Sequence, residues 1–385
     1  MRILSSCLAG LVPLCLLFSS CSQGGDQKKQ SGEVQLPDQA YNYVYLGAGS
    51  TMPYPMVFTD AKDWSNEGTM TFGANSQYVL TQVGKATVSG QEYFLMKDGT
   101  LTVLNGSSAS ATLRMPGFLD LNGDSFFFVR NTRPTKGSWP VLFFAGIKQD
   151  PAAPTMSGSW SQLGFSLFAA NKTTKRSNDA VARSFEGTVT FDSANKVSAS
   201  TWKDSSTASS TLTGQVTPQK GGEVDLVYTI KSGLYAGTKS WTGFVGKNLA
   251  MLYDGSAKDQ DLGLAFLVRE MDADAKKTSL QGTYSLCNFA MLTSTTLQGA
   301  DIATGTLTFK LDDTFVIDLK GPLGAFQYSG KYKIGTKGRL TLEVTDNNQS
   351  WFAVVTKDYD NVVIVDGTWE KTTPELGFYL GVRVP

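Results

Sequence analysis

The chain has 385 residues, with 34 Lys and Arg against 34 Asp and Glu, and it contains no histidine. The missing imidazole excludes Ser-His-Asp and Cys-His nucleophilic sites and His-ligated zinc or haem, and it removes the commonest general base. No basic patch stands out, which argues against nucleic acid as a partner, while a charged fraction of 18% with abundant Ser, Thr and Gly suits an exported all-β protein.

The N-terminus carries one early charge, Arg2, and then an apolar run, Ile3 to Phe18, broken by Ser5, Ser6 and Pro13. A membrane span needs roughly 20 apolar residues. A charged start, a short apolar core and small residues at its end read instead as a secretory signal over residues 1–20. The run ends in Leu17-Phe18-Ser19-Ser20-Cys21, and the polar tract Ser22 to Gly32 follows. Such composition makes a flexible tether, placed at residues 21–37. Leu17 to Cys21 resembles the lipobox of bacterial lipoproteins, with Phe18 where that family usually has Leu. The resemblance implies cleavage before Cys21, lipid on Cys21 and, with Ser22 rather than Asp after it, anchoring in the outer membrane. Stable anchoring needs more than one acyl chain, which such a terminus supplies. The alternative is an ordinary cleaved signal with an incidental cysteine.

Of the four cysteines, Cys7 and Cys15 leave with the signal and Cys21 takes the lipid. Only Cys287 remains, so no intramolecular disulfide is possible and the core must hold the exported chain. The remaining length suffices for two or three domains.

The strongest internal signal is repetition. EGTMTF at Glu67 returns as EGTVTF at Glu186 and as TGTLTF at Thr304, with 119 residues from Gly68 to Gly187 and 118 from Gly187 to Gly305. A second marker follows in each copy: GTLTV from Gly99, GEVDLV from Gly222, GRLTLEV from Gly338. A third closes each: PVLFFAGIK from Pro140, LGLAFLVRE from Leu262, LGFYLGVRV from Leu376. An opening marker is GSW at Gly158 and GTY at Gly282, where the first copy has only YNYVYLG from Tyr41. The period exceeds that of solenoid repeats, so each copy is a domain: 38–149, 156–270 and 278–385. The linkers, Asp150-Pro-Ala-Ala-Pro-Thr and Met271-Asp-Ala-Asp-Ala-Lys-Lys, are short enough for neighbours to touch.

The third copy shows the strand pattern best. FQYSGKYKI sets Phe326, Tyr328, Tyr332 and Ile334 on one face against Gln327, Ser329, Lys331 and Lys333, with Gly330 as an expected bulge. Leu340, Leu342 and Val344 alternate with Thr341 and Glu343, and Phe315, Ile317 and Leu319 share a face. Turn clusters such as Asp312-Asp313, Gly335 to Gly338 and Asp366-Gly367 separate the runs. The expectation is an all-β chain of three tandem antiparallel modules of about eight strands, each a β-barrel or a β-sandwich. A G-x-W or G-x-Y strand opening an eight-stranded meander resembles the calycins, the lipocalins and avidins. That resemblance implies a barrel whose mouth holds a small apolar molecule, and it carries over no ligand residue. One outer-membrane barrel of some 24 strands is the alternative; the lipobox, the linkers and the domain-length repeat speak against it.

Few residues suggest chemistry. Asp120, Asn122 and Asp124 have the alternate spacing of calcium loops, but Ser125 stands where Gly is needed and Asn131 where Glu is needed, and tight turns favour the same residues. Cys287 groups with Phe289 and Met291 and reads as a small buried hydrophobe. Trp160, Trp202, Trp241, Trp351 and Trp369 line cavities or sugar platforms, or pack cores and rims. Val141 to Ile147 and Leu264 to Val268 are apolar on both faces, so these strands are expected to be covered on both sides by a neighbouring module. The residues suggest no cofactor and no catalytic constellation. The functional expectation is a non-enzymatic outer-membrane lipoprotein that binds or scaffolds a protein or glycan, facing the surface or the periplasm. The alternative is a carrier of small apolar or amphipathic ligands inside calycin-like barrels.

Overall fold

The computed structural model describes residues 33–34, 36, 38–52, 65–73, 75–83, 85–105, 113–120, 122–130, 137–150, 152, 155–169, 180–204, 209–232, 237–254, 262–293, 298–321, 324–345, 348–366 and 375–385. The expected signal, Cys21 and Trp369 lie outside the described residues.

Alternation of apolar and polar residues makes strands here, and hairpin links make them antiparallel meanders. Barrel 1 closes through β1 (Gln39–Met52), β2 (Ser65–Phe72), β3 (Gln77–Gln82), β4 (Val88–Leu95), β5 (Thr100–Asn105), β6 (Leu113–Leu119), β7 (Ser125–Arg130) and β8 (Gly137–Lys148), with β8 pairing back onto β1. Module 2 repeats the order with β9 (Gly158–Ala169), β10 (Ala180–Phe191), β11 (Val197–Asp204), β12 (Leu212–Pro218), β13 (Glu223–Ile230), β14 (Gly237–Val245), β15 (Leu249–Asp254) and β16 (Leu262–Arg269). Among the described residues its seam between β11 and β12 has no regular ladder. Two isolated bridges, Lys196 to Gln215 and Trp202 to Ser210, close it. There the Ser200 hydroxyl donates to the Leu212 carbonyl at 3.0 Å and accepts from the Leu212 amide at 2.7 Å, which satisfies an edge that otherwise invites another chain. Barrel 3 closes through β17 (Gly282–Thr293), β18 (Gln298–Phe309), β19 (Thr314–Gly321), β20 (Gly324–Ile334), β21 (Arg339–Val344), β22 (Gln349–Val355), β23 (Asn361–Val365) and β24 (Glu375–Arg383).

The repeated glycine of the EGT marker has a packing cause. A Cβ on Gly68, Gly187 or Gly305 would sit 2.0, 2.1 or 1.8 Å from a carbonyl oxygen of the next strand, that of Thr81, Thr201 or Asp318. Only glycine lets the backbones approach that closely. Gly330 meets the same constraint, 1.9 Å from the Glu343 carbonyl. It pairs in register with Phe315 and Val344, so the expected bulge is a regular close approach.

Each interior is filled by its own aromatic side chains. In barrel 1, Phe72 takes the edges or faces of Tyr41, Tyr93 and Phe126 at 5.6, 4.9 and 5.7 Å. In module 2, Phe185 stacks on Trp202 at 4.2 Å beside Trp241. In barrel 3, Trp351 stacks on Tyr379 at 5.1 Å, and Phe309 meets Tyr332 at 5.1 Å. Trp160, Trp202, Trp241 and Trp351 are all buried in these interiors.

A fourth apolar core lies between the barrels. It joins Phe127, Val129, Phe143 and Ile147 of barrel 1, Leu249, Met251, Leu264, Phe266 and Val268 of module 2, and Cys287, Phe289, Val363, Phe378 and Leu380 of barrel 3. This is why the closing strands are apolar on both faces: one face fills the barrel and the other meets the neighbours. Phe378 is its hub, with rings from all three modules around it: Phe143 at 4.8 Å, Phe266 at 5.6 Å and Phe289 at 5.8 Å. Residues 33–385 accordingly form one compact unit.

The segment before each first strand caps one barrel end. Glu33, Val34 and Leu36, placed in the tether by the sequence reading, touch barrel 1: Glu33 bridges Met96, the Val34 amide donates to Leu95, and Leu36 packs on the core. Met156 is buried in module 2 and accepts a bond from Trp160 Nε1 at 2.8 Å. Met271, Ala275 and Leu280 enter the core of barrel 3, the last from the short helix α1 (Lys277–Leu280).

Candidate binding site at the junction of three turns

In each module the sixth and seventh strands are joined by a short polar turn at the capped end, and the three turns converge. The first runs over Asp120 to Ser125. Gly123, at φ +69°, donates to the Asp120 carbonyl at 2.9 Å, and the Asp120 carboxylate accepts from the Asp124 amide at 2.8 Å and the Ser125 hydroxyl at 2.6 Å. The second is the tight turn Gly246 to Leu249, closed by a 2.8 Å bond from the Gly246 amide. In the third, Thr356 to Asn361, the Thr356 hydroxyl donates to Asp358 at 2.6 Å and Tyr359 takes a positive φ of 64°.

Side-chain bonds tie the turns together. Asn248 Nδ2 donates to Asp358 at 2.6 Å, Ser125 Oγ lies 3.0 Å from the Asn361 side-chain amide, and Asn122 Nδ2 donates to Asp360. Burial holds the Asp120 carboxyl above its usual range, against the bonds from Ser125 and Asp124. Asp360 is pushed up to about 6 by burial and by Asp358 and Asp120, with Arg383 opposing. The calcium-like spacing of Asp120, Asn122 and Asp124 thus serves a turn here, with Asn122 directed to barrel 3. Among the described residues no group of three or more His, Cys, Asp or Glu is placed to hold a metal ion. The pocket between the turns measures about 20 Å3, room for one water.

Beside it opens a groove of about 720 Å3, lined by Asp150, Thr155, Ser157, the Val245 to Asn248 turn, Arg269, Lys357 and Asp358. Arg269 is fixed in it. Its guanidinium lies over the Trp160 ring at 4.3 Å and donates to the carbonyls of Lys247, Ser157 and Thr155 at 3.3, 3.0 and 3.1 Å. Arg383 does the same in barrel 3, over Tyr284 at 5.8 Å and bonded to the carbonyls of Ser279 and Gln281. So the last-strand arginine stacks on the aromatic residue of the opening G-x-W or G-x-Y and fastens the cap. Sequence reading missed Arg269. The signal was present in the closing markers, which put Arg269 and Arg383 at one position, the eighth of each.

Cys287, the expected buried hydrophobe, lies in the core between barrels, its thiol donating to the Phe127 carbonyl at 3.7 Å and pushed up in pKa by burial. A thiol so placed is inert.

No family model matches the chain, and no curated protein matches it. Among solved structures it is similar to a double mutant of transferrin binding protein B from Haemophilus parasuis Hp5, at 9% identity over 92% of this chain and 77% of that one, with a TM-score of 0.30. It is similar to the isotype 1 transferrin binding protein B of serogroup B Neisseria meningitidis, at 8% identity over 92% and 78%, with a TM-score of 0.26. It is also similar to a DUF3598-family protein of unknown function from Nostoc punctiforme PCC 73102, at 14% identity over 60% and 96%, with a TM-score of 0.25. Likeness at this level carries no argument about what the chain binds.

Proposed function

We propose that this is a non-enzymatic outer-membrane lipoprotein, anchored by lipid on Cys21, that acts as a surface or periplasmic binding or scaffold protein through its three fused β modules. The filled interiors support this reading best. A carrier needs an interior lined by small side chains, and these interiors hold Phe72 against Phe126, Phe185 against Trp202 and Trp241, and Trp351 against Tyr379. Recognition of a protein or glycan then falls to outer faces and barrel ends. Because the modules share a core, they present one composite surface and not three independently swinging heads, so avidity between separate modules has little part in it.

A neutral probe that fluoresces in apolar cavities, N-phenyl-1-naphthylamine, tests the reading on the mature chain. No saturable rise is expected. Stoichiometric binding of one to three probes would overturn it in favour of a carrier. Radiolabelled palmitate should enter the wild type and not Cys21→Ala, and protease added to intact cells separates surface from periplasm.

A further inference from the structure

One position in the junction differs among the modules in a way that leaves a charge unanswered. The backbone amides of Lys148, Arg269 and Arg383 donate to the carbonyls of Asp124, Asn248 and Asp360 at 2.9, 2.9 and 2.8 Å, so these are equivalent pairs. Modules 1 and 3 have an aspartate at the turn position, Asp124 and Asp360, and in module 3 Arg383 draws the Asp360 pKa down. Module 2 has the neutral Asn248, whose amide is committed to Asp358.

Arg269 is half-buried and has no carboxylate partner within 4.0 Å among the described residues. Three of a guanidinium's five N–H donors are used on carbonyls, which leaves two. Burial lowers its pKa. A partly desolvated cation without a counter-charge is costly and attracts an anion. The neighbouring Lys247 is exposed and makes no ion pair among the described residues. Asp150 and Asp358 line the same groove with two negative charges, set against those of Arg269, Lys247 and Lys357; Asp358 accepts from Asn248, Thr356 and Asp360 on its two oxygens, and Asp150 accepts from Ala152 on Oδ1. The groove, at about 720 Å3, falls in the range of small-ligand sites and is far larger than a lone ion needs.

We infer that the groove between Asp150, Thr155 and Ser157 on one side and the Lys247 turn on the other binds the oxyanion group, carboxylate or phosphate, of a small ligand, with the Arg269 fork and Lys247 as the receiving cations. Planar, bidentate recognition is what a fixed guanidinium does best. The hydroxyls of Thr155 and Ser157, 3.1 Å apart, offer further contacts to the rest of the molecule. The inference rests on the reading of the outer surface as the binding face, and its test is separate from the apolar-probe test of that reading.

The full-length protein in neutral detergent would be melted with increasing inorganic phosphate, succinate or dihexanoyl phosphatidylglycerol, against chloride at equal ionic strength. The three arms separate free phosphate, carboxylate and a lipid headgroup as sources. At least one should raise the melting temperature saturably beyond chloride. Thr155→Asp, an exposed change that tethers a carboxylate beside the guanidinium, should abolish that rise and still fold. Lys247→Ala, on an exposed turn, should weaken the dissociation constant about tenfold, the loss of one charge-assisted bond. A wild type that responds to all three as it does to chloride overturns the inference, as does a saturable rise that survives in Thr155→Asp. An unchanged dissociation constant in Lys247→Ala removes Lys247 from the site.

Discussion

Replacing Phe378 by Ala tests whether the three barrels fold as one body. The ring is fully buried and meets Phe143, Phe266 and Phe289, one from each module, within 5.8 Å. Truncating a buried Phe to Ala costs about 3–5 kcal/mol through lost transfer energy and the cavity left behind. What that loss does to the melting temperature depends on the size of the cooperative unit. Unfolding entropy is about 2.1 cal/mol/K per residue. For the compact unit Glu33–Pro385 that gives about 0.74 kcal/mol/K, so a 4 kcal/mol loss lowers the midpoint by about 5 °C. If barrel 3 melted alone, its entropy of about 0.23 kcal/mol/K would turn the same loss into a drop of about 18 °C for that module. Scanning calorimetry of the wild type should show one transition with the enthalpy of the whole unit, and Phe378→Ala should move it by about 5 °C or begin to split it. A shift under about 2 °C with unchanged enthalpy, or three separate transitions in the wild type, would refute the argument that the shared core welds the modules.

Further outcomes follow from single residues. Glu67 is pushed up to about 7 by burial and by Glu223 and Asp225, with a bond from Tyr253 opposing; a raised carboxyl favours the protonated folded state, so its contribution is complete below about pH 4.5 and is lost as pH rises through about 7. Denaturant titrations from pH 5 to 8 should therefore show the wild type losing stability relative to Glu67→Gln by about 1–2 kcal/mol, a figure reduced for partial solvent screening, and parallel pH profiles would contradict it. Gly305→Ala would set a Cβ 1.8 Å from the Asp318 carbonyl and should cost about 3 kcal/mol or more through overpacking. Gly90→Ala has nothing within 4 Å of the new Cβ and only a positive φ of 70° to resist it, so it should cost about 1–2 kcal/mol; equal losses at the two sites would show that carbonyl crowding is not what fixes the repeated glycine.

Much of the fold was legible because a strand exposes its period to the eye. Leu340, Leu342 and Val344 read as one face, and in β21 they are the buried face. Closing strands apolar on both faces announced a neighbour, and the structure supplies it in the core around Phe378. Barrel as against sandwich was not legible, because closure depends on the last strand returning to the first, as β8 does to β1 and β24 to β17. No local pattern encodes that return. The role of Gly330 was misread for a related reason: a strand glycine serves a bulge and a close backbone approach equally well, and only the position of the Glu343 carbonyl decides between them. The junction was hidden more deeply. Asp120, Asn248 and Asp358 are far apart in sequence, and their meeting depends on how whole barrels pack. Even so, comparing copies would have flagged Arg269, since the arginine recurs at Arg383 while the acidic residue of its turn does not.

That contrast points to where function resides in a chain built from one module three times. Positions that hold each barrel are repeated: the crowded glycine and the inward aromatic residues in all three, and the arginine that fastens the cap in the second and third. Positions at the contacts between barrels have diverged, and with different electrostatic results. Equivalent residues of the second marker are Glu223 and Arg339. Glu223 stands against Glu67 and helps push its pKa up, whereas Arg339 lies 3.5 Å from Glu186 and pulls in the opposite direction. One contact is therefore weakened above neutrality and the other is not. At the turn junction the same divergence replaces Asp by Asn248 and leaves Arg269 without its carboxylate. The contacts between barrels therefore carry charge pairings that no single barrel contains, and these exist only when all three are assembled.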